Sequence, residues 1–277
     1  MERAFFGQVV YKIDLPSVFV SDCQGWSAES SLPASTEMAA NPIVERHVRE
    51  RRLYIGIALF LPLIVLLGFS RTYYLKGLFH TPVLPSLLVH VHGLVMTSWV
   101  ILFGVQVGLI SARRTKVHQR LGVWVAILAG LVVVVGFATA LTAAAREAAN
   151  PEALRFLIVP IGDVLVFSVL VGMALYYRRR VQVHKRLMVV AALSLLTPAF
   201  SRIPLEFIVK GGPLASFALT DLSILACVIY DTAKHRRLHS AFLWGTLLVV
   251  ASQALRLMLA GTNIWLKFAG LLVRLVS

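Results

Sequence analysis

Cysteine is nearly missing from this chain: Cys23 and Cys227 are the only two in 277 residues, and Cys227 falls inside an apolar run. That excludes a disulfide framework and a cysteine-based metal knuckle. Charge is also scarce, at 14% of residues, and acid is scarcer than base, with 13 Asp and Glu against 27 Lys and Arg. No Walker loop, Gly-rich dinucleotide turn, HExxH, GxSxG, CxxC or CxxCH occurs, so a hydrolase built on a recognisable motif is not expected.

Hydrocarbon fills the chain instead, with 58% hydrophobic residues. Seven apolar runs stand out, at roughly 53–70, 83–110, 121–143, 156–177, 187–208, 214–231 and 240–260. Each is long enough to cross ~30 Å of lipid as a helix. Long runs without strand alternation mean helices, because lipid offers no partner for an unpaired backbone. The expected fold is all-α and polytopic: one leading transmembrane helix followed by three helical hairpins.

The net charge of +14 could suggest nucleic acid, but the positions of the basic residues argue against it. With the segment before the first span assigned to the cytoplasm, 16 Lys and Arg lie on inner segments, nine on or near outer ones and two in the far N-terminus. This bias predicts a multi-pass protein of the plasma (bacterial inner) membrane, N-terminus inside and C-terminus outside. The basic loops are then expected to meet anionic lipid headgroups rather than nucleic acid.

Three of those loops carry the same tetrapeptide pattern: His118-Gln119-Arg120-Leu121, His184-Lys185-Arg186-Leu187 and His235-Arg236-Arg237-Leu238. The copies read as a diverged hairpin repeat, or as one solution to the same turn. Residues 1–45 differ from the rest; through Glu50 the leading segment holds seven of the 13 acidic residues and shows no sustained period. We expect 1–45 to be a poorly ordered cytoplasmic tail, with Met38 as an alternative start, 46–262 to be the transmembrane domain, and 263–277 to be an interfacial tail. Pro62 is expected to kink the first span, and Pro198 and Pro204 to break the outer half of the fifth. Gly122, Ala126 and Gly130 form a small-residue face on the third.

Ionisable residues inside spans are the best pointers to function, since each costs ~2.5–3.5 kcal/mol at mid-bilayer. His90 and His92 lie in span two, Asp163 in four, Arg202 and Glu206 in five, Asp221 in six and Arg256 in seven. At ~1.5 Å per residue, His90, His92, Asp163 and Asp221 fall ~10–14 Å below the outer surface, with Arg202 and Arg256 shallower. A shared depth predicts one polar chamber made by His90, His92, Asp163, Arg202, Asp221 and Arg256. An ion-pair network that only fixes helix order explains the four charges equally. His92, Asp163 and Asp221 are the candidate metal set. His118, His184 and His235 at the inner plane are candidates for haem or quinone, with arginines suited to propionates or a polar headgroup. Gln106 and Gln253 read as interhelical glue.

The string His90-Val91-His92-Gly93, then Trp99, Gln106 and His118-Gln119-Arg120-Leu121-Gly122, together with Pro160-Ile161-Gly162-Asp163, Leu219-Thr220-Asp221-Leu222 and Ser252-Gln253-Ala254-Leu255-Arg256, resembles a group of uncharacterised bacterial seven-span membrane proteins over roughly residues 43–270. The resemblance implies the seven-span body and carries no activity across. Three functions stay open: a redox-linked or metal- or cofactor-binding membrane protein, using haem, quinone or a metal ion; a carrier for protons or a small solute; and a non-catalytic structural or assembly factor.

Overall fold

A computed structural model describes residues 42–80, 84 and 86–276; the expected tail through residue 41, Met38 included, lies outside the described residues. Helical backbone is already present from Pro42, inside the segment expected to be tail. The helices are α1 (Pro42–Phe69), closed by a π-turn at Ser70–Tyr74, then α2 (Leu87–Ser111), α3 (Thr115–Arg146), α4 (Pro151–Phe156), α5 (Ile158–Tyr176), α6 (Val181–Ser194), α7 (Thr197–Phe200), α8 (Glu206–His235), α9 (Ser240–Leu259) and α10 (Asn263–Arg274). The described residues form no strand. Seven segments are long and apolar enough to cross a membrane: Arg51–Tyr74, Leu87–Ser111, Thr115–Arg146, Pro151–Tyr176, Val181–Phe200, Glu206–His235 and Ser240–Leu259. The chain is an all-α polytopic membrane protein.

Local chemistry sets the ends of these elements. Asn150 caps α4 by accepting from the Glu152 N–H, with Pro151 in the first turn where no donor is needed. Thr262 caps α10 in the same way, accepting from Trp265 N–H. The fifth span does not run on as one helix to residue 208. Helix α6 stops at Ser194, α7 opens with Pro198 in its first turn, and 201–205 is not helical. Pro198 and Pro204 lack the N–H that a continuing helix requires. Helix α8 is broken once more at Gly212, whose φ of 54° only glycine adopts freely, followed by Pro213. In contrast, α1 continues through Pro62 without a break.

The fourth and fifth spans occupy the centre. Their most apolar stretches are 61% and 67% buried, against 17–28% for the other five. The sequence of α6 allows this: Val189, Val190, Ala191, Ala192 and Leu193 are all buried, and small side chains among them let neighbours approach. Trp99 of α2 meets Phe167 of α5 edge-on at 5.0 Å. At the α1–α7 crossing Gly68 lies against the Ala199 carbonyl, where a Cβ would collide with the backbone.

Two expectations need correcting. The buried face of α3 is Val125, Ala129, Val132 and Gly136, not Gly122–Ala126–Gly130; Gly130 is exposed with nothing against it. The tetrapeptides are not three copies of one turn either. His118 and His184 are each the fourth residue of the helix leaving the turn (α3 and α6), whereas His235 is the last residue of the helix entering it (α8). Residues past Asn263 form α10, too short at ~18 Å to cross. One face of it, Trp265, Ala269 and Val273, is buried, and Trp265 Nε1 donates to the Leu154 carbonyl at 2.8 Å. Ile264, Phe268 and Leu271 remain exposed on the other face.

Candidate membrane-embedded sites

The side chains expected to form one chamber fall into two groups. The first joins α5, α8 and α9. Arg256 Nη1 donates to Asp163 Oδ1 at 2.6 Å and to the Val159 carbonyl at 3.0 Å, while Nε donates to the Ser252 carbonyl at 3.2 Å. Its guanidinium also lies over the Phe217 ring at 5.0 Å. The ion pair is enclosed, with side-chain exposures of 6% and 11%. Gly162 makes room for it, since a Cβ there would run into Arg256 Cδ. One helical face therefore carries both the anion and the gap that admits its cation. Asp221 is held by an amide: Gln253 Nε2 donates to its Oδ1 at 3.0 Å, tying α8 to α9. Gln253 acts as interhelical glue, as expected. Asp221 borders a groove of about 400 Å³ between α8 and α9, lined by Ala218, Leu222, Leu225, Thr246 and Val250.

The second group gathers at α1, α2 and the break in span five. His92 is half-buried and its Nδ1 is buried without a hydrogen-bond partner, whereas His90 is exposed. The two are about 200° apart on a helix, so they face opposite ways. Arg202 lies within electrostatic reach of His92, donates from Nη1 to the Pro198 carbonyl at 2.7 Å, and sits over the Phe69 ring at 4.8 Å. The π-turn presents two tyrosines to α2. The Tyr73 ring is pressed on Gly93, and the Tyr74 hydroxyl meets the Thr97 hydroxyl at 2.8 Å. Such π-turns inside helical segments recur at functional sites. Among the described residues no three of His, Cys, Asp and Glu stand together as a metal set, so His92, Asp163 and Asp221 do not meet as ligands.

A third cluster lies at the arginine-bearing end, and it was not anticipated from the sequence. Arg186 and Asp231 form a two-pronged pair, Nε to Oδ2 at 2.9 Å and Nη2 to Oδ1 at 2.8 Å, with side-chain exposures of 2% and 3%. Nη1 donates to both the backbone carbonyl and side-chain Oε1 of Gln182, at 2.9 and 2.7 Å. His235 Nδ1 donates to the Asp231 carbonyl at 2.8 Å. Arg186 is thus not an interfacial arginine beside lipid; Arg120 and Arg237, its counterparts in the other tetrapeptides, are exposed. The sequence did hold a signal: Asp231 is the single acid within the three hairpin-turn segments 111–122, 177–187 and 231–239. Of the inner histidines, His184 Nδ1 donates to the Ala174 carbonyl at 2.8 Å, and His118 Nδ1 is buried without a partner. His239, between α8 and α9, uses Nδ1 to accept from Ala241 N–H at 3.1 Å. Burial, and next the Arg186 charge, hold its pKa below the usual histidine range, which keeps that nitrogen unprotonated as a helix cap.

Fold and clusters together define a multi-pass helical membrane protein with interhelical ion pairs at both ends. Comparison with protein-family models, curated proteins and solved structures finds no match.

Proposed function

We propose that the protein is a redox-linked membrane protein that binds a lipid-soluble carrier of the quinone class at His92 and Arg202. The observation that carries this reading is the buried, unpartnered Nδ1 of His92, held near Arg202 where the fifth span is broken. A buried polar atom without a partner calls for one, and a quinone carbonyl accepts from imidazole and guanidinium N–H alike. Phe69, whose ring lies under the Arg202 guanidinium, supplies a flat apolar wall, and the isoprenoid tail would stay in lipid. A metal ion fits less well, since among the described residues His92, Asp163 and Asp221 do not stand together as a set. The protein would lie in a plasma (bacterial inner) membrane with the arginine-bearing end in the cytoplasm. Exposed Arg113, Arg114, Arg178, Arg179 and Arg180 would meet anionic headgroups there.

Titration of the purified protein in nanodiscs with a short-chain quinone, read by tryptophan fluorescence, tests the assignment. His92→Ala is expected to weaken binding about tenfold, the loss of one hydrogen bond. Equal affinity in the variant, or no binding by the parent, would sink the proposal.

The Asp221 groove favours a second reading, a carrier for protons or a small cationic solute. An acid beside an otherwise apolar groove is costly unless it serves exchange. Asp221→Asn should then keep its bond to Gln253 and its melting temperature while abolishing proton-coupled uptake in proteoliposomes. Unchanged uptake would remove this reading.

A further inference from the structure

Three of the buried polar atoms that lack partners lie on one stripe of α2: His92 Nδ1, Trp99 Nε1 and Gln106 Oε1. They are seven residues apart each time, and a heptad drifts by only ~20° on an α-helix, so all three face the same way. At ~1.5 Å per residue the stripe covers ~21 Å, most of the hydrocarbon thickness. A fourth such atom, His118 Nδ1, follows on α3 at the arginine-bearing end, within electrostatic reach of His184.

Trp99 is 1% exposed and still carries an N–H with nothing to accept it. An unmet buried group of this kind is destabilising unless water or a ligand answers it. One isolated case could be strain; three in heptad register plus one in continuation point to a common partner running along the helix. Water meets the requirement, because it can accept from an indole N–H, donate to an amide oxygen and do either with imidazole. The ~10 Å between successive atoms is bridged by about three waters at ordinary hydrogen-bond spacing.

We propose that the His92–Trp99–Gln106 stripe, continued by His118, is a water-lined proton path through the bundle. Trp99 and Gln106 do not titrate at neutral pH; they anchor water. The histidines at the two ends accept a proton on one nitrogen and release it from the other. The path shares His92 with the quinone assignment and is separate from the Asp221 groove, which lies between α8 and α9.

The test uses the full chain in liposomes loaded with a pH-sensitive dye and no quinone, driven by a valinomycin potassium potential. Proton flux is expected above that of protein-free vesicles. Trp99→Phe, which keeps the ring packed on Phe167, and Gln106→Leu should each cut it about fivefold, the effect of one lost hydrogen-bonded anchor. Thr139→Val, whose hydroxyl is spent on the Val135 carbonyl, should leave it unchanged. Should Gln106→Leu fail to fold, Gln106→Met takes its place. Flux no greater than in empty vesicles overturns the proposal, as does flux indifferent to both stripe variants. Flux that survives them but falls with Asp221→Asn relocates the path to the groove and overturns it equally. Stripe-dependent flux in a protein that binds no quinone upholds the path and removes only the quinone assignment.

Discussion

Arg186→Met is expected to cost the protein about 3–5 kcal/mol of stability, the usual penalty for leaving one member of a buried ion pair without the other. The pair is almost fully enclosed, with exposures of 2% and 3%. Removing the cation strands the Asp231 carboxylate, and it also frees the two Gln182 oxygens that Nη1 occupied. The effect should therefore exceed that of a typical core truncation. Asp231→Leu alone should be comparably harmful, because Arg186 then keeps only the Gln182 oxygens and the Phe242 ring, none of which carries a full negative charge. The double variant Arg186→Met/Asp231→Leu should recover most of the loss, since two apolar side chains of similar volume leave no charge to solvate. Thermal unfolding of the detergent-solubilised variants measures all three. A double variant no better than either single would mean that a stranded buried charge is not the source of the loss.

Asp163→Ala is expected to be nearly as costly, about 3–4 kcal/mol, for the same reason at the opposite end of the bundle. Arg256 would remain buried with two backbone carbonyls and the Phe217 ring as partners. None of these carries a full negative charge. Gly162→Val should reproduce much of the defect without touching either charge, because its side chain occupies the space of Arg256 Cδ. Asp163→Leu/Arg256→Met should recover stability, and quinone affinity at His92 should be unaffected by it. Loss of quinone binding in that stable double variant would place Asp163 and Arg256 in the binding site instead of in a helix lock. Melting and the nanodisc titration, run on the same preparations, separate the two outcomes.

These pairs show how far the sequence could be read. The intramembrane charges were visible in it, and so was the choice between a chamber and a network. Depth along a helix follows from counting residues, so Asp163 and Asp221 could be assigned one level, with Arg256 somewhat shallower. Rotation about the helix axis does not follow from counting in this chain, because its spans are apolar on nearly every side. Which of the four charges would pair was therefore not legible: Asp163 took Arg256, Asp221 took Gln253, and Arg202 turned to Phe69 and Pro198. Asp231 escaped notice because it sits at the end of the sixth apolar run, beside a loop whose arginines read as lipid contacts.

His92, Trp99 and Gln106 stand seven residues apart in the sequence, but spacing alone cannot say that three polar atoms are buried and unmet. By itself the sequence determined the number of spans, their helical nature, and the basic loops from which an orientation is inferred. Membrane thickness and backbone hydrogen bonding act along one dimension, and a run of apolar residues answers both. Only the tertiary structure decided which two spans lie at the centre, which charges find each other, and which polar groups are left waiting for a partner. Lipid and protein interior are equally apolar, so hydropathy does not distinguish the face that meets another helix from the face that meets the bilayer.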